Sequence, residues 1–586
     1  MDNQRNLIFA VVLCGALLFG WDFLVGHLYP QAAQTEVVAT SAATSEQPAA
    51  KRTREGGLTD TGDIAEETRD LATALKTAGR VPIEGRSITG SINPVGARID
   101  DVSLKNHRQA IEKDSGPVRL FSPSGTPAQQ FAQFGWAGEG IKLPDARTVW
   151  TAQGTKLTPQ TPVTLTWDNG EGQRFSIKFS IDDKYLITAE QTLANTATGP
   201  VVVRPFAFVN RTSRTASIDS WNVHSGPIGS FDGAVDYDWD YDDVADDGPV
   251  AMKGRPDWLG FTDIYWLSAL VPQKGTPADG TFRAQGGETF RADLIYDPVT
   301  IGAGRQVTRT TKLFAGAKES DVLSTYESSG IAHLNRAIDW GWFEILEKPI
   351  LWLLKHLFAF AGNFGIAIML LTVIIRGLMF PIAQKGFASM AAMRAVQPKM
   401  KALQERYKDD RVQLQQEMAK LYKSEGVNPL AGCLPLLLQI PIFFALYKVL
   451  LLSIEMRHQP FALWIKDLSV PDPAHLLNLF GLLPFDPPSF LAIGPLALIL
   501  GITMFLQFKL NPAQMDPVQQ QMFMIMPWLM MFIMAPFAAG LLLYWCTSNV
   551  LTIAQQAYLY SRHPQLKAQS EKDKEDRERA KTRDKK

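Results

Sequence analysis

Cysteine is nearly missing from this chain of 586 residues: Cys14, Cys433 and Cys546 are its only three. All three fall in apolar runs, so the large hydrophilic region between the first two runs has no thiol, and neither a disulfide framework nor a metal site can be read from them. A GxxxxGK[ST] phosphate loop is also missing, which removes the usual signature of nucleotide-driven work. Acid and base side chains abound, but no catalytic constellation emerges, so no catalytic residue, cofactor or metal ligand is assigned. No inverted repeat is visible among the C-terminal apolar runs, which argues against a solute transporter. The scarcity that matters most is of carboxylates in those runs. Glu455 and Asp467 lie beyond the far end of one run, and Asp22 near the outer end of the N-terminal one.

What is present points to a membrane. Hydrophobic residues make up 46% of the chain, with 14 Trp and 17 Met. The stretch 363–385 reads as a membrane span with a cation inside it. Arg376 precedes Lys385 by nine residues, which at about 1.5 Å per residue puts it roughly 13 Å inside the boundary. Burying arginine there costs about 2.5 to 3.5 kcal/mol, so it should face protein or water rather than lipid. Thr372 shares its face. With no carboxylate nearby in sequence, its expected partners are neutral polar groups, water or an arriving substrate. The alternative is a structural arginine satisfied by carbonyls.

The net charge of −1 says little, whereas its distribution says more. Residues 383–427 hold nine basic and five acidic side chains, and 561–586 hold ten and six, which places both on the cytoplasmic side. Residues 1–30 read as an uncleaved N-terminal anchor with its start inside. Residues 31–79 are rich in Ala, Thr, Ser, Glu and Gln and read as a flexible linker, with a short helical patch near Leu71. From 80 to 330, short β-branched and aromatic runs such as RFSIKFSI and GPVVVRPFAFV, broken by Gly, Pro and Asn, predict an all-β sandwich. Its stretch DYDWDYDDVADD at 236–247 opens like a calcium loop. Tyr241 replaces the turn glycine and Asp247 the closing glutamate, which favours a solvated acidic loop.

Residues 331–362 predict an interfacial amphipathic helix, with Leu334, Ile338, Trp342, Phe343 and Ile345 interleaved with charges and a break at Gly362 and Asn363. After the span carrying Arg376, apolar residues recur at helical spacing on both sides of Asp409 and Asp410. That pattern predicts an antiparallel hairpin over 384–427. Lys399, Lys401, Arg406, Lys408 and Arg411 crowd its tip, where they suit anionic head groups or ribosomal RNA. Four further apolar runs follow, giving a five-span core over 363–560. Tyr544, Ser548 and Thr552 repeat every four residues, with Asn549 and Gln556 beside them, while Gln439 and Gln507 lie on other spans. Hydrogen-bonded helix packing explains any one of them. A stripe that long, beside Arg376, suits a water-lined groove.

The stretch at 397–450, QPKMKALQERYKDDRVQLQQEMAKLYKSEGVNPLAGCLPLLLQIPIFFALYKVL, resembles the signature of the YidC membrane protein insertases, as do PFALWIKDLSVPDP at 460–473 and TMFLQFKLNP at 503–512. The N-terminal anchor and large outer β-domain resemble the Gram-negative members. The resemblance implies a bacterial inner-membrane protein with both termini cytoplasmic, a periplasmic supersandwich, and five spans enclosing a hydrophilic groove whose cation corresponds to Arg376. It also implies nascent membrane proteins as substrates, work alone or beside the Sec translocon, and ribosome or targeting machinery as partners of the hairpin and of the basic tail at 561–586. A second reading is a membrane-anchored periplasmic protein that binds or modifies glycans.

Overall fold

The computed structural model describes residues 53, 55–112, 114–218, 223–407, 410–426, 434–480, 483, 492–510 and 517–562. The expected anchor at 1–30, Lys408 and most of the basic tail lie outside the described residues.

Strict alternation of apolar and polar side chains selects a half-buried strand, and Gln173–Ile181 buries every second residue, including Phe175, Ile177 and Phe179. Such strands build two antiparallel sheets. The ten-stranded sheet runs Val81–Glu84, Ile88–Asn93, Arg98–Arg108, Gln130–Gly138, Val201–Thr212, Thr289–Tyr296, Ala278–Ala284 and Val250–Ala251, with Pro117–Phe121 and Val299–Ile301 paired off this path. The nine-stranded sheet runs Ala234–Asp236, Gly226–Phe231, Pro256–Thr262, Trp266–Val271, Arg305–Ala317, Leu186–Asn195, Gln173–Ile181, Val163–Asp168 and Thr151–Gln153. Aromatic side chains lock the two layers face to face. Phe134 meets Phe179 edge-on at 5.6 Å between ring centres, and Trp136 meets Phe175 at 5.1 Å. This is the all-β domain that the alternating runs predict.

Within the stretch expected as a linker, helix α1 (Thr61–Ala74) is docked rather than free. Asp60 caps it by accepting from the Gly62 and Asp63 amides, and Glu67 accepts from the Ala128 amide of the β-domain at 2.8 Å. The acidic stretch at 236–247 is partly helical as well. In α2 (Tyr241–Asp246) Asp240 and Asp243 form a capping box, while Tyr241 and Val244 are buried. Its carboxylates therefore satisfy backbone amides. Helix α3 (Ser320–Ser328) follows the last strand.

The expected amphipathic helix starts later than the sequence suggests. Leu334–Ala337 and Gly341–Phe343 form single 3-10 turns, and the continuous helix α4 spans Glu344–Ala361. His333 and Gly341 adopt left-handed φ angles of 57° and 62°, which interrupt a right-handed helix. Ile331, Leu334, Ala337, Ile338 and Trp340 are buried. The Trp258 indole donates to the Ala332 carbonyl and Lys318 to the Ala337 carbonyl, so these apolar groups serve the β-domain rather than lipid. Trp342, by contrast, is 98% exposed.

Gly362 ends α4 with φ 67°, and its amide donates to the Phe358 carbonyl at 2.7 Å. Asn363 then caps α5 (Phe364–Arg406) by accepting from the Ile366 amide. Helix α5 is continuous over 43 residues. It carries the apolar stretch Phe364–Gly386, which is long enough to cross a membrane, and continues as one arm of the hairpin. The other arm is α6 (Arg411–Ser424). Helices α7 (Leu434–Leu452), α8 (Pro495–Leu510), α9 (Pro517–Met534) and α10 (Ala539–Arg562) complete the C-terminal region. Helix α10 packs on both α5 and α8, and α4 packs on α5 and α7. This arrangement sets α10 against the face of α5 that bears Arg376.

Candidate functional site around Arg376

Thr372 and Arg376 lie one turn apart on α5, and the four-residue repeat on α10 turns Tyr544, Ser548 and Thr552 to one side. These faces meet. Arg376 donates from Nε to the Ser548 hydroxyl at 3.0 Å and from Nη2 to the same oxygen. Gln439 of α7 donates to the Tyr544 hydroxyl at 2.5 Å, so α7 is tied to α10 one turn from the arginine contact. Ser548 is only 2% exposed, whereas Arg376 is half-buried.

The arrangement leaves the cation under-compensated. A guanidinium offers five N–H donors, and a single neutral hydroxyl cannot satisfy them. Among the described residues no carboxylate lies within ion-pair distance of Arg376. The Gln439 and Gln556 side-chain oxygens are buried without a hydrogen-bond partner among those residues. Thr372 and Thr552 return their hydroxyls to carbonyls of their own helices, Ile368 and Ser548, each at 2.7 Å. Chemically, the site is a positive charge beside neutral polar groups, able to receive an anion or a polar backbone.

Not every residue expected there takes part. Asn549 turns to α8 and donates to the Thr503 hydroxyl at 3.1 Å, which makes it a helix-packing contact. Gln507 is half-buried on α8. One participant escaped the sequence reading, Gln555. The Gln555 amide donates to the Arg376 carbonyl at 3.4 Å, and its spacing of seven from Ser548 was the signal that could have found it.

Of the basic hairpin residues, Lys399 is paired with Glu425 across the two arms at 2.6 Å. Arg406 is exposed, with its guanidinium carbon 5.7 Å from the Tyr407 ring centre. Lys401 and Arg411 are described in backbone only, within α5 and at the start of α6. At the opposite end of the helices, Lys448 of α7 pairs with Asp339 at 3.1 Å. The buried Glu347 of α4 is pushed up to about 8 by desolvation, against the pull of Lys448. A lone lysine in an apolar run was the sequence signal for that cluster.

Comparison with known proteins covers both halves of the chain. The family model described as 60Kd inner membrane protein matches residues 356–569, and the one described as YidC periplasmic domain matches residues 80–353. A relative from Zymomonas mobilis subsp. mobilis, named Membrane protein insertase YidC, is 44% identical over 565 residues and covers 96% of each chain. A relative of the same name from Bradyrhizobium diazoefficiens is 41% identical over 598 residues, covering 96% of this chain and 97% of its own. Among solved structures, that of an active YidC insertase with its first transmembrane domain resolved matches 84% of this chain and 98% of that one, at 17% identity and a TM-score of 0.34.

Proposed function

On the premise that this chain belongs to the YidC family of membrane protein insertases, we propose that Arg376 and the polar face of α10 are the place where it holds a substrate segment during insertion. Family membership makes it an inner-membrane protein of bacteria with a periplasmic β-domain, acting on membrane proteins in the bilayer. A short acidic or polar segment that must cross lipid is held transiently by Arg376, Ser548, Tyr544 and Gln439. Its charge is then partly compensated, and less of its path lies in hydrocarbon. Its apolar neighbour moves along the flanking helices into lipid, where burial at about 25 cal/mol per Å² drives the step.

In this reading residues 363–560 are the insertase core, with α5, α7, α8, α9 and α10 as its five spans and both chain termini cytoplasmic. The hairpin and the tail at 561–586 contact the ribosome or targeting machinery, and the core works alone or beside the Sec translocon. No step is enzymatic, and the β-domain is accessory. Deleting residues 55–337, which also removes the apolar segment packed on that domain, should leave insertion of a small single-span protein into vesicles intact.

The observation that carries the reading is Arg376, held by a neutral hydroxyl without a carboxylate partner among the described residues. Its test is water access. Thr552→Cys in a chain whose native cysteines are replaced should react with a membrane-impermeant maleimide from the cytoplasmic side, and a stalled substrate should block the reaction. A thiol unreactive from both sides would return Arg376 to a dry packing role.

A further inference from the structure

Far from Arg376, three potential metal ligands converge where the segment leading into α1 meets the loop between α7 and α8. The ligand atoms of Glu55, His458 and Asp467 all lie within 4.8 Å of one another. His458 Nε2 stands 3.5 Å from Glu55 Oε1, close to the spacing of about 3.4 Å that two ligands adopt on a tetrahedral ion bound at about 2.1 Å. Asp467 is the telling member. It is 2% exposed, and its Oδ1 accepts from the amide and hydroxyl of Ser469 at 2.8 and 2.7 Å. Its Oδ2 is buried and has no hydrogen-bond partner among the described residues. A carboxylate oxygen left bare in such a place costs free energy unless something positive meets it.

The surroundings fit ligation. The second oxygen of Glu55 accepts from Arg457 Nε at 3.0 Å and Nη2 at 2.5 Å, which orients the first toward His458. Arg457 also donates to the Arg108 and Gln109 carbonyls, so the same loop grips the β-domain.

We propose that Glu55, His458 and Asp467 bind a divalent ion of the zinc class, with water completing the tetrahedron, and so fasten the segment before α1 to the loop between α7 and α8. Two carboxylates and one imidazole suit zinc better than calcium, which takes six or more oxygens. The competing explanation is a simple ion pair between Glu55 and a protonated His458.

Untagged full-length protein in nanodiscs, stripped with chelator, is titrated with Zn2+ by calorimetry and then melted with and without the metal. One saturable site per chain is expected, together with a rise in Tm on adding zinc. Asp467→Asn keeps the oxygen that Ser469 needs and should weaken binding by about 100-fold, abolishing the Tm rise. His458→Gln should do the same if Asp467→Asn folds poorly. Absence of saturable zinc, or equal affinity in wild type and a folded variant, overturns the proposal in favour of the ion pair.

Discussion

Arg211 in the β-domain and Arg376 in the helical region are both cations drawn out of water, and the protein treats them differently. Arg211 pairs with Asp263 at 2.7 Å, and Asp263 also accepts from the Ser217 amide at 2.8 Å and the Ser225 hydroxyl at 3.3 Å. Charge and counter-charge are enclosed together, in a network that fixes one packing of the strands. Arg376 has a neutral hydroxyl and open capacity. Under the proposed function, the difference separates a charge that is part of the fold from one kept available, because an arginine completed by its own protein has little left to offer a substrate.

Breaking the enclosed pair should have the largest effect on stability. Asp263→Ala leaves Arg211 buried and unpaired and should cost the β-domain about 3 to 5 kcal/mol. Near-UV circular dichroism during denaturation reads this, and a loss below 1 kcal/mol would mean that the pair is solvated. Arg376→Ala should barely move the same unfolding signal.

Lys318 sharpens the contrast through pH. It donates to the Thr262 hydroxyl and the Ala337 carbonyl, and burial pushes its ammonium down to about 7, against the pull of Asp263 and Asp339. Between pH 7 and the ordinary value of 10.5, the unfolded chain binds a proton that the folded protein lacks, so stability rises with pH across that window. Lys318→Met should lose this slope. Parallel stability curves for the two proteins between pH 7 and 10 would contradict it.

The hairpin offers the same comparison at the surface. Lys399 is engaged by Glu425, so its reversal would disturb the hairpin itself. Reversing Lys401, Arg406, Lys408 and Arg411 to Glu should weaken cosedimentation with ribosomes and flatten the salt dependence of what remains. Unchanged binding would leave the hairpin as a spacer. The smallest effect belongs to Asn549, whose contact with Thr503 is packing: Asn549→Ala should cost about 0.6 to 1.7 kcal/mol and leave the preference for substrate charge unaltered.

Local pattern made the sandwich legible, since alternation as strict as that of Gln173–Ile181 has one structural meaning. The break before α5 was legible too, because Gly362 and Asn363 are cap residues whatever surrounds them. Periodicity was less informative about destination. The apolar residues of 331–340 looked suited to a bilayer and instead fill the β-domain, and the patch near Leu71 became a docked helix. Amphipathic spacing says that a face is buried without saying against what. That the arginine would meet neutral polar groups was legible, but which of them was not, since Ser548 is 172 residues away and stands in a row of similar polar groups. Nor did spacing predict that Asn549 would face α8 while its neighbour faces α5.

In the proposed mechanism Arg376 acts by charge, and insertion of paired substrates into vesicles carrying equal amounts of each variant tests that most directly. Lysine keeps the cation without the planar fork, alanine removes it and glutamate reverses it. For a substrate with an acidic translocated end and no Sec translocon present, Arg376→Lys should retain most insertion, Arg376→Ala should lose it, and Arg376→Glu should be worst. A matched substrate with a neutral end should suffer far less in all three. Equal loss for acidic and neutral substrates, accompanied by degradation of the variants, would contradict the electrostatic mechanism and make Arg376 a structural residue.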